Sequence, residues 1–167
     1  MNQMTTKPAF TIDLSLARHE VGHVLAYALL GADKIFCMVG EDDKGDYAVV
    51  RAVDTKQDLP GPMNDTAMTT VAGAITTCLL EDVGLTDDQV LKMGVACLHL
   101  CGGLWGVCPD DFEASKSFND IDLHKGALRI ALMTIANRQF LEYLAQYIAD
   151  KSIQGEVASF IDAISSF

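Results

Sequence analysis

The chain of 167 residues is 50% hydrophobic and carries 23 acidic against 12 basic side chains, a net charge of −11. That length and apolar content build one domain, residues 1–167, burying about two-thirds of the surface the unfolded chain exposes. The acidic surplus repels phosphate backbones and anionic lipid, so neither nucleic acid nor a membrane is an expected partner.

Met1 to Phe10 hold one lysine and no apolar stretch, and read as a loose arm without a signal peptide. The longest apolar run, around Val24 to Leu30, falls far short of the ~20 residues that span a bilayer. Five cysteines (Cys37, Cys78, Cys97, Cys101 and Cys108) lie mostly in apolar runs. Their odd number points to buried thiols in a reducing compartment, hence a soluble, cytoplasmic protein. Cys97 and Cys101, with His99 between them and Cys108 after, have the makings of a metal site. They lack a second matching pair, and buried thiols are the commoner outcome.

In chain order, Thr11 or Asp13 is placed to cap a first helix from Leu14 to Leu30, with Gly31 as its stop. Lys34 to Val39 and Tyr47 to Val53 are β-rich, and Gly40 to Asp46 between them is turn chemistry, so a hairpin is expected. Pro60-Gly61-Pro62 argues against regular structure from Asp54 to Asn64. Thr66 to Leu80 reads as a helix whose small residues permit close packing, ended by Gly84. Thr86-Asp-Asp-Gln89 is a capping pattern opening a helix that runs through Leu100. Gly102-Gly103 breaks it, and Val107 to Phe118 reads as a loop with a solvated acidic cluster, Asp110-Asp111-Glu113. From Asn119 an apolar stripe runs through Ile121, Leu128, Ala131, Leu132, Ile135, Phe140, Leu141, Leu144 and Ile148. Ser152 can cap a last helix, Gln154 to Ile164. The expected fold is mainly α with a small β-hairpin, an α+β domain.

The chemistry sits in the first helix. His19-Glu20-Val21-Gly22-His23 is an H-E-x-x-H motif. Four helical residues amount to about 400° of rotation and roughly 6 Å of rise, so His19 and His23 leave the same face one turn apart. Two imidazoles so placed can share a tetrahedral Zn²⁺, with Glu20 beside them as the catalytic base. The bland alternative is a partly buried helix with two incidental histidines. A catalytic zinc needs a third protein ligand. Extension to H-E-x-x-H-x-x-G-x-x-H fails, because Ala26 and Leu29 occupy the positions that would matter. Glu81, near the end of the Thr66 helix, is one candidate, and a later Asp another.

Ala17-Arg-His-Glu-Val-Gly-His-Val-Leu-Ala26 resembles the H-E-A-G-H-A helix of FtsH-type ATP-dependent zinc proteases, peptidase family M41. In that family the third ligand is an Asp in a segment similar to Ser117-Phe-Asn-Asp120-Ile-Asp122 here. The resemblance covers Leu14 to Thr134 and implies a zincin-like helical peptidase domain whose metal ligands are His19, His23 and Asp120. Neither a Walker A sequence nor an ATPase module is present, so threading of substrates would need a separate ATPase partner. The family's G-G-R-A-A-E segment has two counterparts here, Gly102-Gly103, after which R-A-A-E is missing, and Val71-Ala72-Gly73-Ala74 with Glu81 downstream. Asn119 and Asp120 have a second use as a helix cap, and Asp122 is the nearest substitute ligand. His124, four residues after Asp120, faces either the same site or solvent. Trp105, between glycines, reads as a core anchor or a pocket wall.

The expected function is zinc-dependent hydrolysis of peptide bonds in a peptide or unfolded protein, through a metal-activated water. Alternatives are a catalytically inactive metal-binding or interaction module of the same fold, and a helical protein in which the motif is accidental. Homo-oligomers are compatible with the apolar C-terminal helices. The acidic cluster would select basic substrates if it overhung the cleft.

Overall fold

The computed structural model describes residues 12–32, 34–54, 61–62, 66–81, 84–96, 109–151 and 155–156. The N-terminal arm, Thr11, Cys97, His99, Cys101, Gly102, Gly103, Trp105, Cys108 and Ser152 lie outside the described residues, as does the expected last helix apart from Gly155 and Glu156.

Asp13 opens the first helix. Its carboxylate accepts from the N–H groups of Ser15 (2.8 Å) and Leu16 (3.3 Å), satisfying two donors that a helix start leaves open. From there α1 (Leu14–Leu29) runs to a left-handed Gly31 at φ 81°, beyond which the Ala32 N–H returns to the Tyr27 carbonyl at 3.1 Å. Ala17, Val21, Val24, Leu25 and Ala26 of α1 lose all contact with solvent.

A hairpin follows, β1 (Lys34–Asp42) and β2 (Gly45–Asp54), antiparallel with Asp42 opposite Gly45. The strands extend well into the segment expected to be turn, leaving Asp43 and Lys44 between them outside the ladder. Asp42 accepts from the Lys44 N–H at 2.8 Å, and Gly45 takes φ 117°, which closes so short a loop. Ile35, Cys37 and Val39 alternate inward onto the core. Two-residue strands flank the hairpin: β3 (Gly61–Pro62) on Val53 and Asp54, and β4 (Gly155–Glu156) on Phe36 and Cys37, in the order β3-β2-β1-β4. Both correct the sequence reading. Pro62 is tolerated because an edge strand need not donate, and Gly155, a poor helix former, is strand where a helix was expected.

The central helix, α2 (Ala67–Leu80), is buried at every residue from Ala67 to Leu79. Thr66 and Thr69 form a reciprocal capping box at its start. Buried hydroxyls inside it are satisfied: Thr70 donates to the Ala67 carbonyl at 2.9 Å and Thr77 to the Gly73 carbonyl at 2.8 Å. Helix α1 packs on one side of α2, and α5 (Asp120–Ala136) on the other.

Thr86 and Gln89 cap α3 (Asp87–Met93) as the sequence indicates. The helix stops early, because Gly94 takes φ 51° and starts a 3₁₀ turn, Gly94–Ala96. Instead of a loop, α4 (Pro109–Ser115) follows. Pro109 fits a first helical position, and Asp110 and Asp111 suit the positive end of the helix.

The C-terminal stripe is two helices, α5 and α6 (Arg138–Lys151). Asn137 parts them, its side-chain amide donating to the Met133 carbonyl at 2.8 Å while its own carbonyl starts α6. The buried set of α5 includes Leu123, Ala127, Ile130, Ala131 and Thr134. Ile121 and Leu132 fall off that face and are 67% and 56% exposed, against expectation. Leu141, Leu144 and Ile148 of α6 are fully buried, each contributing roughly 1.5–3 kcal/mol. The domain is thus mostly helical with a small antiparallel sheet. No described helix is long and apolar enough to cross a membrane.

Candidate metal centre

Helix α1 packs against both α2 and the hairpin, and its motif face opens into a cleft of about 580 Å³. The cleft is lined by His19, Glu20 and His23 of α1, Asp46 to Val50 of β2, and Pro109 to Asp111 of α4.

Three side-chain atoms converge there. His19 Nε2 lies 2.8 Å from Asp111 Oδ2, His23 Nε2 lies 3.2 Å from the same oxygen, and the two Nε2 atoms are 3.1 Å apart. Among the described residues this is the one group of three or more His, Cys, Asp or Glu arranged to hold a metal ion.

Hydrogen bonds alone do not satisfy this triangle. An ionised Asp111 only accepts, so both imidazoles must present Nε2–H to it, and the two N–H groups then oppose each other across 3.1 Å. If His19 instead accepts from His23, its lone pair faces the Asp111 oxygen at 2.8 Å. A cation among three acceptors removes the conflict. The separations also approach the edge of a tetrahedron built on zinc–ligand bonds of ~2.0–2.1 Å, about 3.3 Å. Two imidazoles and one carboxylate suit zinc among the common divalent ions.

The electrostatics agree. Burial lowers the pKa of His19, favouring the neutral imidazole that a metal needs, although the hydrogen bond to Asp111 opposes this. Burial pushes Asp111 upward, but its hydrogen bonds to His19 and His23 outweigh that and hold its carboxyl well below the usual range. His19 Nδ1 is buried and has no hydrogen-bond partner among the described residues.

Glu20 stands beside the triangle and is only 5% exposed. Burial pushes its pKa up to about 7, opposed by the nearby His23 and by a hydrogen bond from the Val50 backbone of β2. A carboxyl titrating near neutrality suits a general base. On β1, burial and the charge of Glu20 push the Cys37 thiol up to about 12, which makes it inert.

The expected third ligand stands elsewhere. Asp120 is the exposed first residue of α5, and the neighbouring cap is made by Asn119, which accepts from the Asp122 N–H at 2.8 Å. Asp122 in turn accepts from the Asn119 side-chain amide. Glu81 ends α2 and pairs with Arg18 at 3.6 Å. His124 packs against Gly94, where its ring would collide with any added Cβ. The structure brings Asp111 to the histidines instead, a residue that the sequence reading places in a solvated cluster. Three neighbouring acids give no reason to single it out; the only signal is Pro109 followed by two acids, which marks a helix start.

No protein family, curated protein or solved structure matches the chain. The resemblance to the FtsH-type proteases therefore rests on the quoted residues alone.

Proposed function

We propose that this protein is a zinc-dependent metallopeptidase with His19, His23 and Asp111 as metal ligands and Glu20 as general base. The observation that carries the reading is the convergence of those three donor atoms beside a buried glutamate on an open cleft. A zinc ion held there supplies Lewis acidity, acidifying water and polarising a carbonyl.

The remaining work falls to the chain. Glu20 accepts the proton of the attacking water and returns it to the leaving amine, a role worth about 10²–10⁴ in rate. Strand β2 supplies a substrate platform: Asp46 to Val50 line the cleft, and among the described residues β3 pairs with Val53 and Asp54 alone. An extended peptide laid along this edge would add its backbone hydrogen bonds to the sheet. The relation to peptidase family M41 is proposed on the first helix, with a third ligand placed differently from that family's Asp segment.

The test is cleavage of a disordered casein by the zinc-loaded protein. We expect fragments that disappear with a zinc chelator and in Glu20→Gln, while Glu20→Gln still binds zinc. Bound zinc without cleavage would overturn the peptidase reading and favour a non-catalytic metal-binding module.

A further inference from the structure

Metal-ligating histidines usually have the other ring nitrogen tied to a carboxylate or a carbonyl, which fixes the ring. His19 lacks that restraint among the described residues, since its Nδ1 is buried without a partner. Something else must hold the imidazole, and the structure shows what touches it. A Cβ built on Gly73 of α2 would lie 2.6 Å from His19 Nδ1 and closer still to Cε1 and Nε2. The nitrogen-bearing edge of the ring therefore rests directly on the glycine.

The helix behind it has no room to retreat. A Cβ on Gly22 of α1 would lie 2.7 Å from the Ala72 carbonyl carbon and 2.8 Å from Gly73 Cα. The two helices thus meet backbone to backbone one turn from the ligand. Gly22 brings them together, and Gly73 leaves a notch that the imidazole fills. The Gly73 carbonyl is also engaged, accepting from Thr77 at 2.8 Å.

We infer that Gly73 is a positioning residue for the metal centre, a notch in α2 that orients the His19 ring by contact where a hydrogen bond would ordinarily do so. The inference rests on His19 being a metal ligand. A methyl at this position must displace the ring, because the opposing backbone cannot yield. In an unobstructed helix the same Gly→Ala change would stabilise, since alanine is the better helix former. The sign of its effect thus reports the ring.

The experiment has two readouts. The first is zinc affinity, by competition with a chromophoric chelator, for wild type, Gly73→Ala and Gly126→Ala. Gly126 of α5 is a control, because its added Cβ would meet Met68 Cα at 2.8 Å, and neither residue lines the cleft. We expect Gly73→Ala to weaken zinc binding by about 10–100-fold, the usual effect of losing a ligand's orienting partner, and Gly126→Ala to leave it nearly unchanged. The second readout is urea unfolding of the metal-free protein in a double-mutant cycle of Gly73→Ala with His19→Ala. Removing the imidazole should abolish the stability cost of Gly73→Ala, and should restore folding if the single variant does not fold. Zinc affinity unchanged in Gly73→Ala, or an equal cost in both backgrounds, overturns the inference alone. A wild type that takes up no zinc overturns the metal-centre reading and this inference with it.

Discussion

Glu20 carries the sharpest consequence at the scale of a single residue. Its carboxyl ionises near 7 in the folded chain against an ordinary 4.5. Between those values the folded state binds the proton that the unfolded state releases, so raising the pH through this window destabilises the fold. Above about pH 7 both states are ionised and the full penalty persists. For the metal-free protein we expect the contribution of Glu20 to fall between pH 4.5 and about 7, by at most a few kcal/mol, while the lowered His19 pKa acts in the opposite sense below its ordinary 6.5. Glu20→Gln should flatten that fall, as measured by urea unfolding across the pH series. The pairing of His19 with His23, and Glu20 beside them, was legible in the sequence because helical geometry fixes it from spacing alone. Asp111 was not, because it stands 92 positions from His19 and 88 from His23. No local pattern spans such a distance, and only the packing of α4 against α2 brings the carboxylate to the cleft.

Among the elements, α2 matters most, because both α1 and α5 lean on it. Its start depends on the capping box, in which the Thr69 N–H reaches Thr66 Oγ1 at 3.3 Å and the Thr66 N–H reaches Thr69 Oγ1 at 2.7 Å. We expect Thr66→Ala to destabilise the fold by about 0.5–2 kcal/mol in thermal or urea unfolding. Helix starts and the hairpin were readable because capping and turn chemistry are local: Asp13 and Thr86 cap as their sequences indicate, and Thr66, read as the first residue of its helix, is the cap of that helix. The breaks were less legible. Gly94 and Asn137 interrupt runs whose apolar period continues past them, Gly94 through its φ of 51° and Asn137 through its side-chain bond to the Met133 carbonyl. The inward face of α5 also departs from the expected stripe at Ile121 and Leu132, since adjacent apolar residues leave the stripe's direction open.

At the scale of the whole molecule, Arg18 ties three helices together. It binds Glu142 of α6 through two contacts, 2.6 and 3.0 Å, and Glu81 at the end of α2 at 3.6 Å. The hydrogen bond to Arg18 lowers the Glu142 pKa, with burial opposing it. The stabilisation is therefore present above the ordinary carboxyl value of 4.5 and is lost as the pH falls through the lowered one. All three side chains are partly exposed, so solvent screening holds the effect of Arg18→Met to about 1 kcal/mol. We expect that loss in urea unfolding at neutral pH and a smaller one in acid, below the Glu142 pKa. An Arg18→Met cost that grew on acidification would contradict the linkage.

His19, His23 and Asp111 form the proposed site for one metal ion. Its most direct test is the zinc content of the purified, zinc-supplied protein by mass spectrometry, for wild type, His23→Ala, Asp111→Ala and Asp120→Ala. We expect one zinc per chain in wild type and in Asp120→Ala, and its loss in His23→Ala and Asp111→Ala. Zinc retained in Asp111→Ala, or absent from the wild type, would contradict the claim.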